Sequence, residues 1–167
     1  MWVSRDEYAI VQALPPQDVN AVTTCFPCAT VNMGLFSSMI ACVQTGLGST
    51  YRIWVNTAST ATGITAGSTG GLMHGNYVVS GLGGATTAST AGDVGTRTAF
   101  VSTAVISHDA TTSPNCAIFV EIKSDDMPAS TSYLAVTIST SAQAHPCAVT
   151  YYMKPRYPGA TIPDGMS

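Results

Sequence analysis

The sequence predicts an all-β domain, a β-sandwich or jelly roll of about seven to nine strands. Three observations carry that expectation. Thr, Val, Ile, Ser and Gly are abundant while Glu, Lys, Arg, Leu and Gln are scarce, a balance that favours strands and turns over helices. No segment sustains apolar residues at i, i+3, i+4 and i+7. Short apolar or alternating runs recur instead, separated by turn-forming clusters.

Taken in chain order, the first run is Tyr8 to Gln12, expected to end before Pro15 and Pro16. A long run from Met33 to Gln44 is closed by the turn at Gly46, Leu47 and Gly48. From Tyr51 to Asn56 the chain alternates, with Tyr51, Ile53 and Val55 on one face. A further strand-like run spans Thr98 to Ser107. In Cys116 to Lys123, Ile118, Val120 and Ile122 oppose Phe119, Glu121 and Lys123. In Ser132 to Thr140, Leu134, Val136 and Ile138 oppose Tyr133, Ala135 and Thr137. In Cys147 to Met153, Cys147, Val149, Tyr151 and Met153 share a side. The last three runs are separated by Ser124 to Pro128 and Ser141 to Pro146, which predicts a three-stranded meander.

Two stretches break this pattern inside what reads as a single domain, residues 1–167. Residues 57–96 consist mainly of Thr, Ala, Gly and Ser, with Asp93 as the sole charge. Two readings stand side by side there: a long loop insertion with one short strand around Tyr77 to Val79, or an arm that orders on a partner. The tail, residues 154–167, carries Pro155, Pro158 and Pro163 and is expected to run extended over a surface, outside any central strand. The N-terminal segment, residues 1–16, is the other extended end.

Charged residues make up only 9% of the chain, against about 25% in an ordinary soluble domain. Thr, Ser, Asn and Gly must supply the polar surface, which suits extensive protein contact and predicts a homo-oligomer, a dimer or trimer. Net charge is −3, and the six cations, Arg5, Arg52, Arg97, Lys123, Lys154 and Arg156, are scattered. Without a cationic cluster to displace phosphate counterions, nucleic acid and anionic membranes are poor partners. The start, Met1 to Glu7, has no basic region followed by an apolar run, as a signal peptide would. The longest mostly apolar stretch, residues 31–43, falls short of the roughly 20 residues a membrane helix needs.

The sequence holds five cysteines, an odd number in a chain without a secretion signal, so reduced thiols are expected. Cys25 and Cys28 have CxxC spacing, but no second pair exists and His74, His108 and His145 are dispersed. A zinc site needs four ligands, and a redox pair needs a helix N-terminus to lower the thiol pKa. Structural thiols are the reading that remains, with no metal and no cofactor. Asp125 and Asp126 stand together in a turn, whereas an acid pair for hydrolysis must flank its substrate. No GxSxG elbow occurs, and the Gly-rich stretch Gly81 to Ala85 has no following Lys to hold a phosphate. No catalytic residue is assigned, and the chain is not expected to be an enzyme.

The last fifty residues have a distinctive layout. The run Ala117 to Ile122, an acidic turn, Tyr133 to Ile138 and Ala148 to Met153 lead into Lys154, Pro155, Arg156, Tyr157 and Pro158. Together with the opening Tyr8 to Pro16, this resembles the small proteins that decorate or cement the capsids of tailed phages. The resemblance implies a β-sandwich or jelly roll without catalysis. It also implies oligomerisation, assembly in a host bacterial cytoplasm and seating on a shell of major capsid protein at the virion surface. Another virion part, such as a tail-tube or head–tail connector protein, is an alternative. So is a carbohydrate-binding or adhesin module using Trp2, Trp54, Tyr51 and Tyr77. For partner contact the candidates are Trp2, Arg5, Tyr8, Arg156 and Tyr157, residue types favoured as interface anchors, at the two extended ends.

Overall fold

The computed structural model describes residues 8–19, 26–46, 48, 50–65, 74–80, 98–101, 106–111, 115–141 and 145–157. These form β1 (Ala9–Val19), β2 (Phe26–Pro27), β3 (Val31–Asn32), β4 (Phe36–Thr45), β5 (Thr50–Ala58), β6 (His74–Ser80), β7 (Thr98–Val101), β8 (Ile106–Asp109), β9 (Ala117–Lys123), β10 (Tyr133–Thr140) and β11 (His145–Pro155). Single 3₁₀ turns at Ala61–Gly63 and Ser124–Asp126 are the only helical segments among the described residues.

The strands make two antiparallel sheets. One has six strands in the order β1-β11-β4-β9-β6-β7. The other runs β2-β10-β5-β8, with β3 pairing β10 beyond β2. Their inner faces meet in one core. Met39, Ala41 and Val43 of β4, Ile118, Val120 and Ile122 of β9, and Val149 and Met153 of β11 pack with Ile53 and Val55 of β5 and Leu134, Val136 and Ile138 of β10. For β5, β9, β10 and β11 these are the faces that alternation set apart; for β4 the sequence reading named no face. Each of the larger aliphatic side chains stabilises the fold by roughly 1.5–3 kcal/mol.

Two buried tyrosines tie the sheets together in opposite directions. Tyr151 of β11 crosses the core, and its hydroxyl accepts the Val136 N–H at 3.0 Å. That N–H belongs to β10 where its edge neighbour is interrupted between β2 and β3, while Cys28 N–H donates to the Val136 carbonyl at 3.0 Å. The Tyr151 hydroxyl therefore satisfies a ladder donor that the broken edge strand leaves open. Tyr51 of β5 reaches the other way: its hydroxyl donates to the Pro146 carbonyl at 2.9 Å and accepts the Gly46 N–H at 3.1 Å.

Several sequence expectations need correction. The last three strands are not a meander: β9 and β11 flank β4 in one sheet, and β10 lies in the other. The turns after β9 and β10 each carry the chain across the sandwich. The prolines at 15 and 16 do not end β1, which continues to Val19 with register shifts between Gln12 and Leu14 and between Leu14 and Gln17. An edge strand tolerates Pro at such irregularities because no inner ladder bond is lost. The tail begins later than expected, since Lys154 and Pro155 belong to β11. There β11 pairs only with β4, through a register shift, because the β1 pairing stops at Ala9 and Met153. The run from Thr98 to Ser107 divides into β7 and β8, which sit in different sheets. Within residues 57–96, β6 covers the short strand foreseen around Tyr77 and pairs with β9.

Candidate interaction surface

The two sheets differ on their outer sides. On the outer side of β5 and β10, Asn56, Ala135, Thr137 and Ser139 are all buried. The Thr137 hydroxyl donates to Asn56 Oδ1 at 2.7 Å. On the outer side of the six-stranded sheet, Ile10 is 51% exposed and Phe119 37% exposed. Register aligns these outer residues in rows across the strands. One row runs Ile10, Tyr152, Ile40 and Glu121; the next runs Gln12, Thr150, Cys42 and Phe119. The third is Ala148, Gln44 and Ala117. Aliphatic and aromatic groups thus form a continuous band across four strands, of the kind that marks a contact surface. Charge sits around the band: Glu121 closes the first row on β9, Lys154, Ser38 and Lys123 make the row at one end, and Asp18 pairs with Pro146 at the other.

The candidate anchors fall at the lysine end of this sheet. Ala9 pairs with Met153, so Tyr8, which is half-buried, lies at the same end of the sheet as Arg156 and Tyr157, which follow β11. Arg156 is engaged with its own domain. Its backbone N–H donates to the Leu35 carbonyl at 3.0 Å, and its guanidinium donates to Ser124 Oγ at 2.9 Å. Tyr157 is 69% exposed and presents the free aromatic. Trp2 and Arg5 lie outside the described residues.

No protein-family model, curated protein or solved structure matches the chain.

The remaining chemistry is in the thiols. Cys28, Cys42, Cys116 and Cys147 are buried and in no disulfide, Cys28 and Cys147 within the core between the sheets, and Cys25 lies outside the described residues. Burial pushes the Cys28 and Cys147 thiols up to about 12, and for Cys28 the nearby Cys147 adds to the shift. Burial likewise raises Tyr151 well above its ordinary value, and its hydroxyl hydrogen-bonds the Cys28 sulfur. Such thiols are held as neutral, weakly reactive groups. Among the described residues no three His, Cys, Asp or Glu side chains gather as a metal site would require. Asp125 and Asp126 sit in the 3₁₀ turn after β9, where the Ser124 hydroxyl bonds Asp125 Oδ1 at 3.3 Å. No helix among the described residues is long and apolar enough to cross a membrane.

Sequence reasoning missed Ile10 and Phe119 as surface groups. Phe119 had left a signal, since it shares the non-core side of its strand with Glu121 and Lys123. Ile10 had none, because its exposure depends on β1 lying at the sheet edge.

Proposed function

We propose that this chain is a non-enzymatic virion structural protein, a jelly-roll subunit that decorates a phage capsid shell and stabilises it. The observation that carries the reading is the nesting of the strand pairs. With β2 and β3 taken as one interrupted strand and the β6–β7 pair set aside as an addition to the sheet margin, eight strands remain. First pairs with last, β1 with β11; second with seventh, β2/β3 with β10; third with sixth, β4 with β9; fourth with fifth, β5 with β8. Successive pairs alternate between the sheets. That is one long antiparallel hairpin rolled on itself, and it supports the jelly-roll reading. Such folds include viral capsid and lectin domains, which work through binding surfaces.

Three further features favour a shell partner. The sandwich interior is filled by side chains such as Met39, Ile118, Ile138 and Tyr151. Tyr8 and the exposed Tyr157 lie at one end of the same sheet, from segments that sequence alone keeps apart. The sparse charge of the chain matches a molecule that works among protein neighbours. Symmetry multiplies each weak contact over a shell, so modest anchors suffice.

The test mixes the purified chain with undecorated heads and reads occupancy and the temperature of head rupture. A variant truncated after Arg156 keeps the Leu35 and Ser124 bonds and removes Tyr157 and the residues beyond. The expected result is a raised rupture temperature with the full chain and reduced occupancy with the truncation. Failure of the full chain to bind heads would overturn the capsid assignment and favour the tail-protein reading.

A further inference from the structure

We infer that the outer face of the six-stranded sheet is covered by a second copy of this chain, related by a two-fold axis that runs across the strands. The inference deepens the proposed function by assigning a surface and a geometry to self-association, and it rests on that part of the reading alone.

Size is the first argument. Strands β1, β11, β4 and β9 spaced at about 4.8 Å, with some seven residues each at about 3.4 Å, offer a flat footprint of roughly 450–500 Å² per copy. A facing pair encloses on the order of 1,000 Å² before side-chain relief is counted, where specific interfaces begin. Chemistry is the second argument. The centre, Ile10, Ile40, Tyr152 and Phe119 around the buried Cys42, is uncharged, its neighbours Thr150 and Gln12 are neutral, and Glu121 closes the Ile10 row on β9. Two such faces can pack as sheets do, aligned with interdigitating side chains. Charge placement is the third argument, and it selects the axis. Lys154 and Lys123, with Glu121 one row inside Lys123, flank one end of the face with a net positive charge, and Asp18 flanks the other. An axis along the strands would set lysines on lysines. An axis across them sets each copy's Lys154 toward the other copy's Asp18, and the symmetry repeats the pair. On the opposite sheet the outer Asn56, Ala135 and Thr137 are already buried, and the exposed Arg52 puts a charge beside the half-buried Trp54.

Light scattering and sedimentation of the full chain at tens of micromolar test this, with circular dichroism as the check on folding. A dimer is expected. The variant I10K/F119K is expected to be a folded monomer. D18K alone and K154D alone should each weaken the dimer roughly tenfold, because a two-fold repeats every like-charge contact. D18K/K154D together should restore it, and this arm stands by itself if I10K/F119K does not fold. A monomeric parent chain, a dimer unmoved by I10K/F119K, or additive loss in D18K/K154D would each overturn the inference. Head binding is scored separately: a chain that dimerises as described yet ignores heads removes the capsid reading only.

Discussion

At the scale of single residues, the core depends on polar groups as much as on aliphatic ones. Tyr151 is fully buried, and its hydroxyl is the partner of the Val136 N–H. Tyr151→Phe keeps the ring and orphans that donor, so a loss of about 1–3 kcal/mol is expected in urea unfolding, with the strand content unchanged. The thiols give a prediction of known sign. Cys28 and Cys147 titrate at about 12 when folded against an ordinary 9.0. Above pH 9 the unfolded chain releases protons that the folded chain retains, so unfolding gains and stability falls as pH climbs from 9 toward 12. Below 9 the contribution is fully present. The slope is about 1.4 kcal/mol per pH unit for each thiol, and urea midpoints at pH 7.5, 9 and 10.5 read it. The same burial predicts that neither thiol reacts with a chromogenic disulfide at pH 8 until denaturant is added.

At the scale of elements, the turns that carry the chain between sheets are the fragile points. Gly46 ends β4, and its N–H lies 3.0 Å from the Pro146 carbonyl. A Cβ there would stand 2.4 Å from Pro146 Cγ and 3.2 Å from its carbonyl oxygen. Gly46→Ala must therefore push β4 and β11 apart at that end, and a loss of about 1–3 kcal/mol in thermal or urea unfolding is expected. Which strands exist was largely legible in the sequence, because period-two alternation survives in Ile118, Val120 and Ile122 and in Leu134, Val136 and Ile138. Which strands pair was not, since Cys42 meets Phe119 and Gln12 meets Thr150 across separations that leave no local trace. The prolines misled for a physical reason: Pro15, Pro16 and Pro155 are strand-breaking only where both ladders must be filled, and all three occupy positions with an open side or a bulge. The edge pieces β2 and β3 are two residues each, too short for any periodicity to register.

At the scale of the whole molecule, a sandwich emerges with an apolar band on the outer side of the six-stranded sheet, and with Tyr8 and Tyr157 at one end of that sheet. The candidate anchors were chosen from residue type and terminal position, and the pairing of β1 with β11 places Tyr8 and Tyr157 at the same end of one sheet. The apolar band was half legible: Phe119 could be read as outward, but a band across four strands exists only once the register is known. The proposed self-association and the proposed shell contact draw on different parts of this sheet, the first on the band and the second on the end that carries Tyr157. Electron cryomicroscopy of the phage particle, at a resolution that separates strands, tests the capsid account most directly. The account predicts two-sheet density matching this chain on the outer surface of the head, in symmetric repeats. A head surface without that density, with the chain found instead in stacked rings of the tail or absent from the particle, would contradict it.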